Sequence, residues 1–145
     1  MKIKQGGFTL IELIITMAVM AIIAMIAAPS LANMLSQQNL NKSSRELVAI
    51  LSQARSKAAI ERRSVTVQLN STAANNQDTL NWAPTGQAVL LTNPASIVFM
   101  PNGLIENAVG DTSFRICDSA TNSRNAKTIS VSRMGTIQTP VDGAC

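Results

Sequence analysis

Residues 6–13 read GGFTLIEL, and they open the longest apolar run in the chain. Between positions 8–29 the only polar side chains are those of Thr9, Glu12 and Thr16. About 20 consecutive apolar residues cross the core of a bilayer as a helix, so this run is long enough to span a membrane. The sequence therefore predicts a membrane-spanning helix near its start, with one carboxylate inside it.

Two lysines, Lys2 and Lys4, precede the apolar run, and a basic segment before an apolar one is the pattern of an export signal. An ordinary signal peptide would be cut after the run, near Ala27 and Ala28. A signal anchor would not be cut at all. A third interpretation is cleavage before the run, and it depends on the residues around Gly7.

Gly7 stands directly before the apolar run, and Glu12 lies five residues into it. This arrangement resembles the class III signal of type IV pilins and type II secretion pseudopilins. The resemblance implies that a prepilin peptidase cuts after Gly7 and methylates the new amino terminus, Phe8. It also implies that Glu12 pairs with the Phe8 amine of a neighbouring subunit, since a carboxylate within a membrane is costly without a partner. The alternative is an ordinary anchor helix with Glu12 at the headgroup level. The resemblance also extends to Pro29, where a pilin helix kinks or locally melts.

Residues 30–60 contain no Gly or Pro and place apolar side chains at one helical face. The members of that face are Leu47, Ile50, Leu51, Ala54 and Ala58. The opposite side carries charged residues, which we interpret as a solvated face rather than a binding stripe. These are Lys42, Arg45, Glu46, Arg55, Lys57, Arg62 and Arg63.

After Arg63 the pattern changes to a period of two, which predicts β-strands. The predicted strands are residues 64–69, 87–92, 96–100, 103–107, 113–118, 127–133 and 135–139, with a polar loop over 70–78. Asn102-Gly103 predicts a type I′ hairpin turn.

Residues 97–103 and 129–137 are similar to the two strand-turn-strand signatures of minor pilins and pseudopilins of the GspH/FimT-like family. The resemblance implies an α+β, pilin-like fold, with a long N-terminal membrane-spanning helix packed on a C-terminal antiparallel β domain. The expected organisation is a class III leader at 1–7, a transmembrane and assembly helix at 8–29, its amphipathic continuation at 30–63, and a β-rich head at 64–145.

The chain has two cysteines, Cys117 and Cys145. In an exported head an even pair indicates a disulfide. It would close a loop of about 29 residues and stabilise the head by roughly 3 to 4 kcal/mol on the chain-entropy model. A reactive or metal-binding thiol pair is the weaker alternative, because no other ligands cluster with it.

The composition argues against an enzyme, because the chain has no His and no Tyr. Its acidic residues are scattered, which indicates solvated surface, and Asp111, Asp118 and Asp142 fit no cation-binding loop motif. No metal site and no cofactor are predicted. The net charge of +4 includes Lys2 and Lys4, so it is weak evidence for nucleic acid.

The resemblance implies a minor type IV pilin that helps to initiate or cap pilus assembly. Its expected partners are the prepilin peptidase and other minor and major pilin subunits. The expected location is the bacterial inner membrane in a single pass, with the head in the periplasm, and then the pilus at the cell surface. A minor pseudopilin of type II secretion is the near alternative.

A second alternative is a DNA-binding minor pilin for natural transformation. Some FimT-like minor pilins carry an Arg-rich motif after a Gly, where it contacts phosphates. The corresponding residues 135–139 of this chain read GTIQT and contain no Arg, which disfavours this function. The candidate DNA-binding residues that remain are Arg115, Arg124, Lys127 and Arg133.

Overall fold

The structure is a computed structural model, and it describes residues 8–91, 94–119 and 123–145. The chain divides into two compact units, Met1–Leu35 and Ser36–Cys145. One helix, α1, spans Leu10–Glu61. Gly7, the predicted cleavage residue, lies outside the described residues.

In the first unit, the described chain is apolar helix with its large side chains exposed. It is long and apolar enough to cross a membrane. Thr9 lies just before the helix, and the backbone N–H of Glu12 donates to its Oγ1 at 3.3 Å. Pro29 lies inside α1, and the backbone is helical on both sides of it, so the helix is not locally melted there.

In the second unit, α1 buries one face against the sheets. The predicted apolar face is confirmed, although Ile50 is only partly buried. Leu40, Ser43 and Ser44 extend it toward the start of this unit. Arg62, with φ of 52°, ends the helix in the left-handed conformation that often follows a last helical turn.

Seven strands follow the helix, and their bounds are β1 Val65–Leu69, β2 Thr79–Trp82, β3 Val89–Leu90, β4 Ser96–Phe99, β5 Thr112–Cys117, β6 Ala126–Val131 and β7 Val141–Gly143. They form a three-stranded sheet in the order β2-β1-β4 and a four-stranded sheet in the order β3-β5-β6-β7. All pairs are antiparallel except β1 with β2, which is parallel. The predicted antiparallel β domain is therefore confirmed, with one parallel pair that the sequence did not indicate.

The core lies between the buried helix face and both sheets. β1 alternates buried and half-buried residues along its whole length, as a period of two requires. Phe99 and Phe114 are fully buried, and Trp82 is almost so. The aromatic side chains of the head therefore belong to the core and offer no stacking platform for bases.

Two predicted strands are wrong. Residues 103–107 contribute only the single bridge between Phe99 and Ile105, because Gly103 and Asn107 both have positive φ, which no regular strand allows. Residues 135–139 contribute only a bridge at Ile137, since Gly135 also has positive φ, of 74°.

Two strands were missed, β2 and β7, and β3 is shorter than the predicted strand at 87–92, whose last residue lies outside the described residues. The type I′ turn is also wrong. That turn needs positive φ at both central residues, and of Asn102 and Gly103 only the glycine has it. Gly103 instead ends a three-residue loop, in which its N–H donates to the carbonyl of Met100 at 2.8 Å.

Candidate functional site

Between Phe8 and Asn41, Glu12 is the only charged side chain. It lies in the first turn of α1, and Phe8, just outside the helix, is 84% exposed. The N–H of Glu12 donates to Thr9 Oγ1, so Thr9 is the N-cap and Glu12 is at position N3. A carboxylate is favourable at this end of a helix, because the unpaired N–H groups there carry partial positive charge.

The role of Thr9 was missed by the sequence analysis, although a signal for it was present. Thr-x-x-Glu before an apolar run is the pattern of a capping box. The cap determines where the helix begins, at Leu10. It therefore places Glu12 in the first helical turn, about one turn along the chain from Phe8. This segment can offer a single anionic group on an otherwise apolar surface.

The structure does not gather the four candidate DNA-binding residues. Arg124 precedes β6 and Arg133 follows it, so they lie at opposite ends of that strand. Arg115 is exposed on β5, opposite Thr128. Lys127 is opposite the buried Ile116 and forms an ion pair with Asp142.

Two cations of α1, Arg55 and Lys57, and Arg63 just after it contact the head, so the charged face that the sequence predicted as solvated is partly engaged with neighbouring loops. Arg55 donates to the carbonyl of Met134 at 3.3 Å, and Lys57 donates to that of Asn76 at 3.3 Å. Arg63 donates to the carbonyl of Gln77 at 3.0 Å and pairs with Asp78 at 2.8 Å. These side chains attach α1 to the loops beside it.

Two glycine turns lie against each other beside Arg55. The N–H of Gly135 donates to the carbonyl of Ser132 at 2.8 Å, in a loop of the same kind as the one that ends at Gly103. A Cβ atom on Gly135 would lie 2.0 Å from the Gly103 carbonyl oxygen and 3.1 Å from Arg55 Nε. The two segments that resemble family signatures therefore meet, and the absence of a side chain at Gly135 permits the contact.

Asp118 is buried, which corrects its interpretation as solvated surface. Its carboxylate accepts hydrogen bonds from Ser123 Oγ at 2.8 Å, the Arg124 N–H at 3.2 Å and Asn125 Nδ2 at 3.0 Å. Burial alone would raise the pKa of this carboxyl, but these hydrogen bonds hold the pKa below its ordinary value. Its backbone carbonyl accepts a bond from Ser36 Oγ at 3.1 Å. Asp118 therefore links Ser36 of α1, the first residue of the second unit, to the segment before β6.

Cys117 and Cys145 form a disulfide, with their Cα atoms 6.0 Å apart. It joins the end of β5 to the residues after β7. A cavity of about 290 Å³ lies beside β7 and is lined mainly by polar side chains. The lining residues are Gln37, Leu40, Asn41, Asn125, Ala126, Lys127, Asp142 and Gly143.

Within the described residues, no group of three or more His, Cys, Asp or Glu side chains is arranged to hold a metal ion. Asp111 and Asp142 are both exposed, while Asp118 uses its oxygens for the hydrogen bonds above. Asp111, Asp118 and Asp142 therefore do not form one site.

Two protein-family models match the sequence. Residues 2–28 match the prokaryotic N-terminal methylation motif, and residues 43–135 match the type II transport protein GspH. No curated protein matches the chain at a significant level.

Crystal structures of the type IV minor pilin FimU of Pseudomonas aeruginosa strain PAO1 resemble the chain. The P21 crystal form is 22% identical with a TM-score of 0.52, over 71% of this chain and 89% of that chain. The P65 form is also 22% identical, with a TM-score of 0.48 over 68% of this chain and 90% of that chain. The similarity to the P21 form shows a shared fold.

Proposed function

This chain belongs to the GspH family of type II transport proteins, and we propose that it is a minor pilin that helps to initiate or cap a type IV pilus. The proposal depends most on the N-terminal segment, where a methylation motif covers residues 2–28. Within that motif, Glu12 is the one charge on an exposed apolar helix. The apolar helix of such a subunit can move from the lipid bilayer into the apolar core of a filament.

The proposed maturation begins in the inner membrane. A prepilin peptidase cuts after Gly7 and methylates the amine of Phe8. The new amino terminus then lies one helical turn from Glu12, because Thr9 caps the helix between them. In a filament the Glu12 carboxylate of one subunit accepts the Phe8 amine of the next, which neutralises both charges in an apolar environment.

The proposed location of the head is the periplasm and later the surface of the filament. A disulfide fits that compartment, because thiol pairs persist as disulfides under oxidising conditions. The proposed partners are other minor and major pilin subunits. The apolar helices form the core of the filament, and the β-rich heads make contacts outside it.

Processing is tested by replacing Gly7 with Ala and following the mass and methylation of the protein in membranes. We expect the leader to remain and Phe8 to stay unmethylated. Gly110→Ala is the control, since a Cβ atom there meets nothing within 4 Å. Normal maturation of the Gly7 variant would refute the proposed cleavage.

Deletion of the subunit separates the pilus from type II secretion. We expect a fall in the number of surface pili and no change in secreted enzymes. The opposite result would assign the subunit to a secretion system as a minor pseudopilin. Normal pili together with normal secretion would contradict both assignments.

DNA binding is the weaker alternative function. The four candidate cations are spread along β6 and its neighbours, and Lys127 is already paired with Asp142. A titration of the full-length protein with duplex DNA at several salt concentrations tests it, with an Arg115, Arg124 and Arg133 charge-removal variant for comparison. Salt-sensitive binding that the variant loses would favour a DNA receptor.

A further inference from the structure

The strand β7 forms one edge of the four-stranded sheet, and its three residues are all exposed. The backbone hydrogen bonds of β6 show in which direction the N–H and C=O groups of β7 point. Gln138, on the same side of β6 as β7, donates its N–H to the carbonyl of Ser130 at 2.8 Å. In an antiparallel ladder successive residues turn their backbone groups to opposite sides, so Thr128 and Ala126 also face β7.

Thr128 pairs with Val141, and Ala126 pairs with Gly143. These two pairs use the backbone groups of β7 that face the sheet. Asp142 lies between them, so its N–H and C=O point away from the sheet. Within the described residues, no other backbone or side chain bonds to them on that side. Among the residues that the structure describes, nothing therefore pairs with the outer edge of β7.

The β2 edge of the three-stranded sheet is different, because side chains close it. The outward N–H of Thr79 donates to Asn76 Oδ1 at 2.7 Å, and that of Asn81 donates to Asn75 Oδ1 at 2.6 Å. These amides occupy the place of a further strand along β2 and prevent pairing there. The same chain thus blocks one sheet edge and leaves another available.

β7 is held in place although it adds nothing to the core. Its residues are exposed, yet it is attached by pairing with β6, by the ion pair between Lys127 and Asp142, and by the disulfide at Cys145. A strand that is fixed without being buried is preorganised to present its free edge. Pro140, which has no N–H, limits that edge on one side.

The cavity beside β7 adds a second feature. Its walls include the amide side chains of Gln37, Asn41 and Asn125, and its volume of about 290 Å³ has room for a side chain. Amides both donate and accept hydrogen bonds, and the two charged residues of the lining, Lys127 and Asp142, neutralise each other as an ion pair, so this cavity suits a polar, uncharged side chain. Asp142 and Gly143 of β7 line the cavity, so a strand added at β7 would lie close to it.

We propose that the outer edge of β7 binds an extended segment of a neighbouring pilin-like subunit by strand addition, with a polar side chain of that segment in the adjacent cavity. The inference rests on the proposed function, which supplies the neighbouring subunit. An extended polypeptide is the ligand that an open strand edge pairs with. The edge is short, and this suits a contact between subunits that their helices already hold at high effective concentration.

The test compares Asp142→Pro with Asp142→Ala in the full-length protein, expressed in cells that lack the wild-type copy. Both variants lose the ion pair with Lys127, but only proline loses the outward N–H. The measurement is the amount of subunit recovered with sheared filaments, relative to the amount in membranes. We expect proline to lower this ratio at least about tenfold relative to alanine, the change that about 1.4 kcal/mol produces.

Equal recovery of the two variants, with wild-type protein present in filaments, would overturn the strand addition and leave the proposed function standing. Absence of wild-type protein from every filament would overturn both. Thermal unfolding of the purified variants shows whether proline disrupts the head itself.

A photo-crosslinking residue at Val141 tests the same edge with the backbone intact, whatever proline does to folding. Val141 is 63% exposed beside the free edge. We expect a crosslink to an extended segment of another subunit in filaments and none in membranes before assembly. Filaments that contain the labelled subunit without such a crosslink would overturn the proposal.

Discussion

Asp118 shows at the residue scale how a local network stabilises a buried charge. Its pKa lies below the ordinary value, because hydrogen bonds from Ser123, Asn125 and the backbone outweigh the effect of burial. A carboxyl with a lower pKa in the folded state stabilises the fold above its unfolded pKa of about 3.9. That contribution is lost as the pH falls through the folded pKa.

We therefore expect Asp118→Asn to destabilise the protein by about 1 to 3 kcal/mol at pH 7, since bonds to the charged group are lost. The difference from wild type should begin to shrink as the pH falls below about 3.9, where the carboxyl of the unfolded chain takes up a proton, and should be smallest below the lower pKa of the folded state. Thermal unfolding of the full-length protein in detergent across this pH range measures it. Asp111→Asn, at an exposed carboxylate, is the control, and a difference for Asp118→Asn that does not change with pH would contradict the argument.

Gly135 is important because it has no side chain. A Cβ atom there would overlap the carbonyl oxygen of Gly103 at 2.0 Å, and the φ of 74° is already unfavourable for other residues. We expect Gly135→Ala to destabilise the protein by at least about 2 kcal/mol, from strain and from separation of the two turns. Thermal unfolding beside Gly110→Ala, which has open space around it, measures the difference. Equal stability would show that the turns adjust at little cost.

At the scale of elements, β7 depends on the disulfide more than on packing, because its residues are exposed. We expect Cys145→Ser to lower stability by roughly 3 kcal/mol on the chain-entropy model and to release the strand. Hydrogen exchange should rise at Val141 and Gly143, whose N–H groups face β6, and stay slow in β1. Retained protection at β7 would mean that pairing and the ion pair with Lys127 are sufficient.

The elements that the sequence predicted well are those whose own pattern determines them. The spacing of Leu47, Leu51, Ala54 and Ala58 identified a helix face, and alternation identified β1. The sequence pattern failed to predict strands correctly where the backbone conformation or contacts with distant residues determine the structure. Positive φ at Gly103 and Asn107 interrupts a run that otherwise resembles a strand.

The candidate site divides in the same way. Glu12 and the cysteine pair were evident from sequence, because a lone charge in an apolar run and an even thiol count are visible without a fold. β7 was not, since Val141–Gly143 has no strand pattern and is retained by β6, Lys127 and the disulfide. Arg55 contacts the turn before Gly135 through the carbonyl of Met134, which is 79 positions away in the sequence. No local spacing of residues indicates such a contact.

At the scale of the whole molecule, the charge balance of a segment of more than thirty residues at the start of the chain depends on one carboxylate, that of Glu12. No other charged side chain lies between Phe8 and Asn41, so the net charge of this segment is that of Glu12 and of the amino terminus that the proposed cleavage creates. If these two groups pair between subunits, each compensates for the desolvation of the other. Removal of one leaves its partner uncompensated.

We expect Glu12→Gln, which keeps the shape of the side chain and removes its charge, to be inserted and cleaved normally. Its recovery with filaments should fall at least about tenfold, the effect of losing about 1.4 kcal/mol. The measurement is the filament-to-membrane ratio of the subunit, with mass spectrometry to verify cleavage and methylation. Glu46→Gln, in the head, is the matched control. Full incorporation of the Glu12 variant would mean that apolar packing alone sets the register of assembly, and that the carboxylate serves another step.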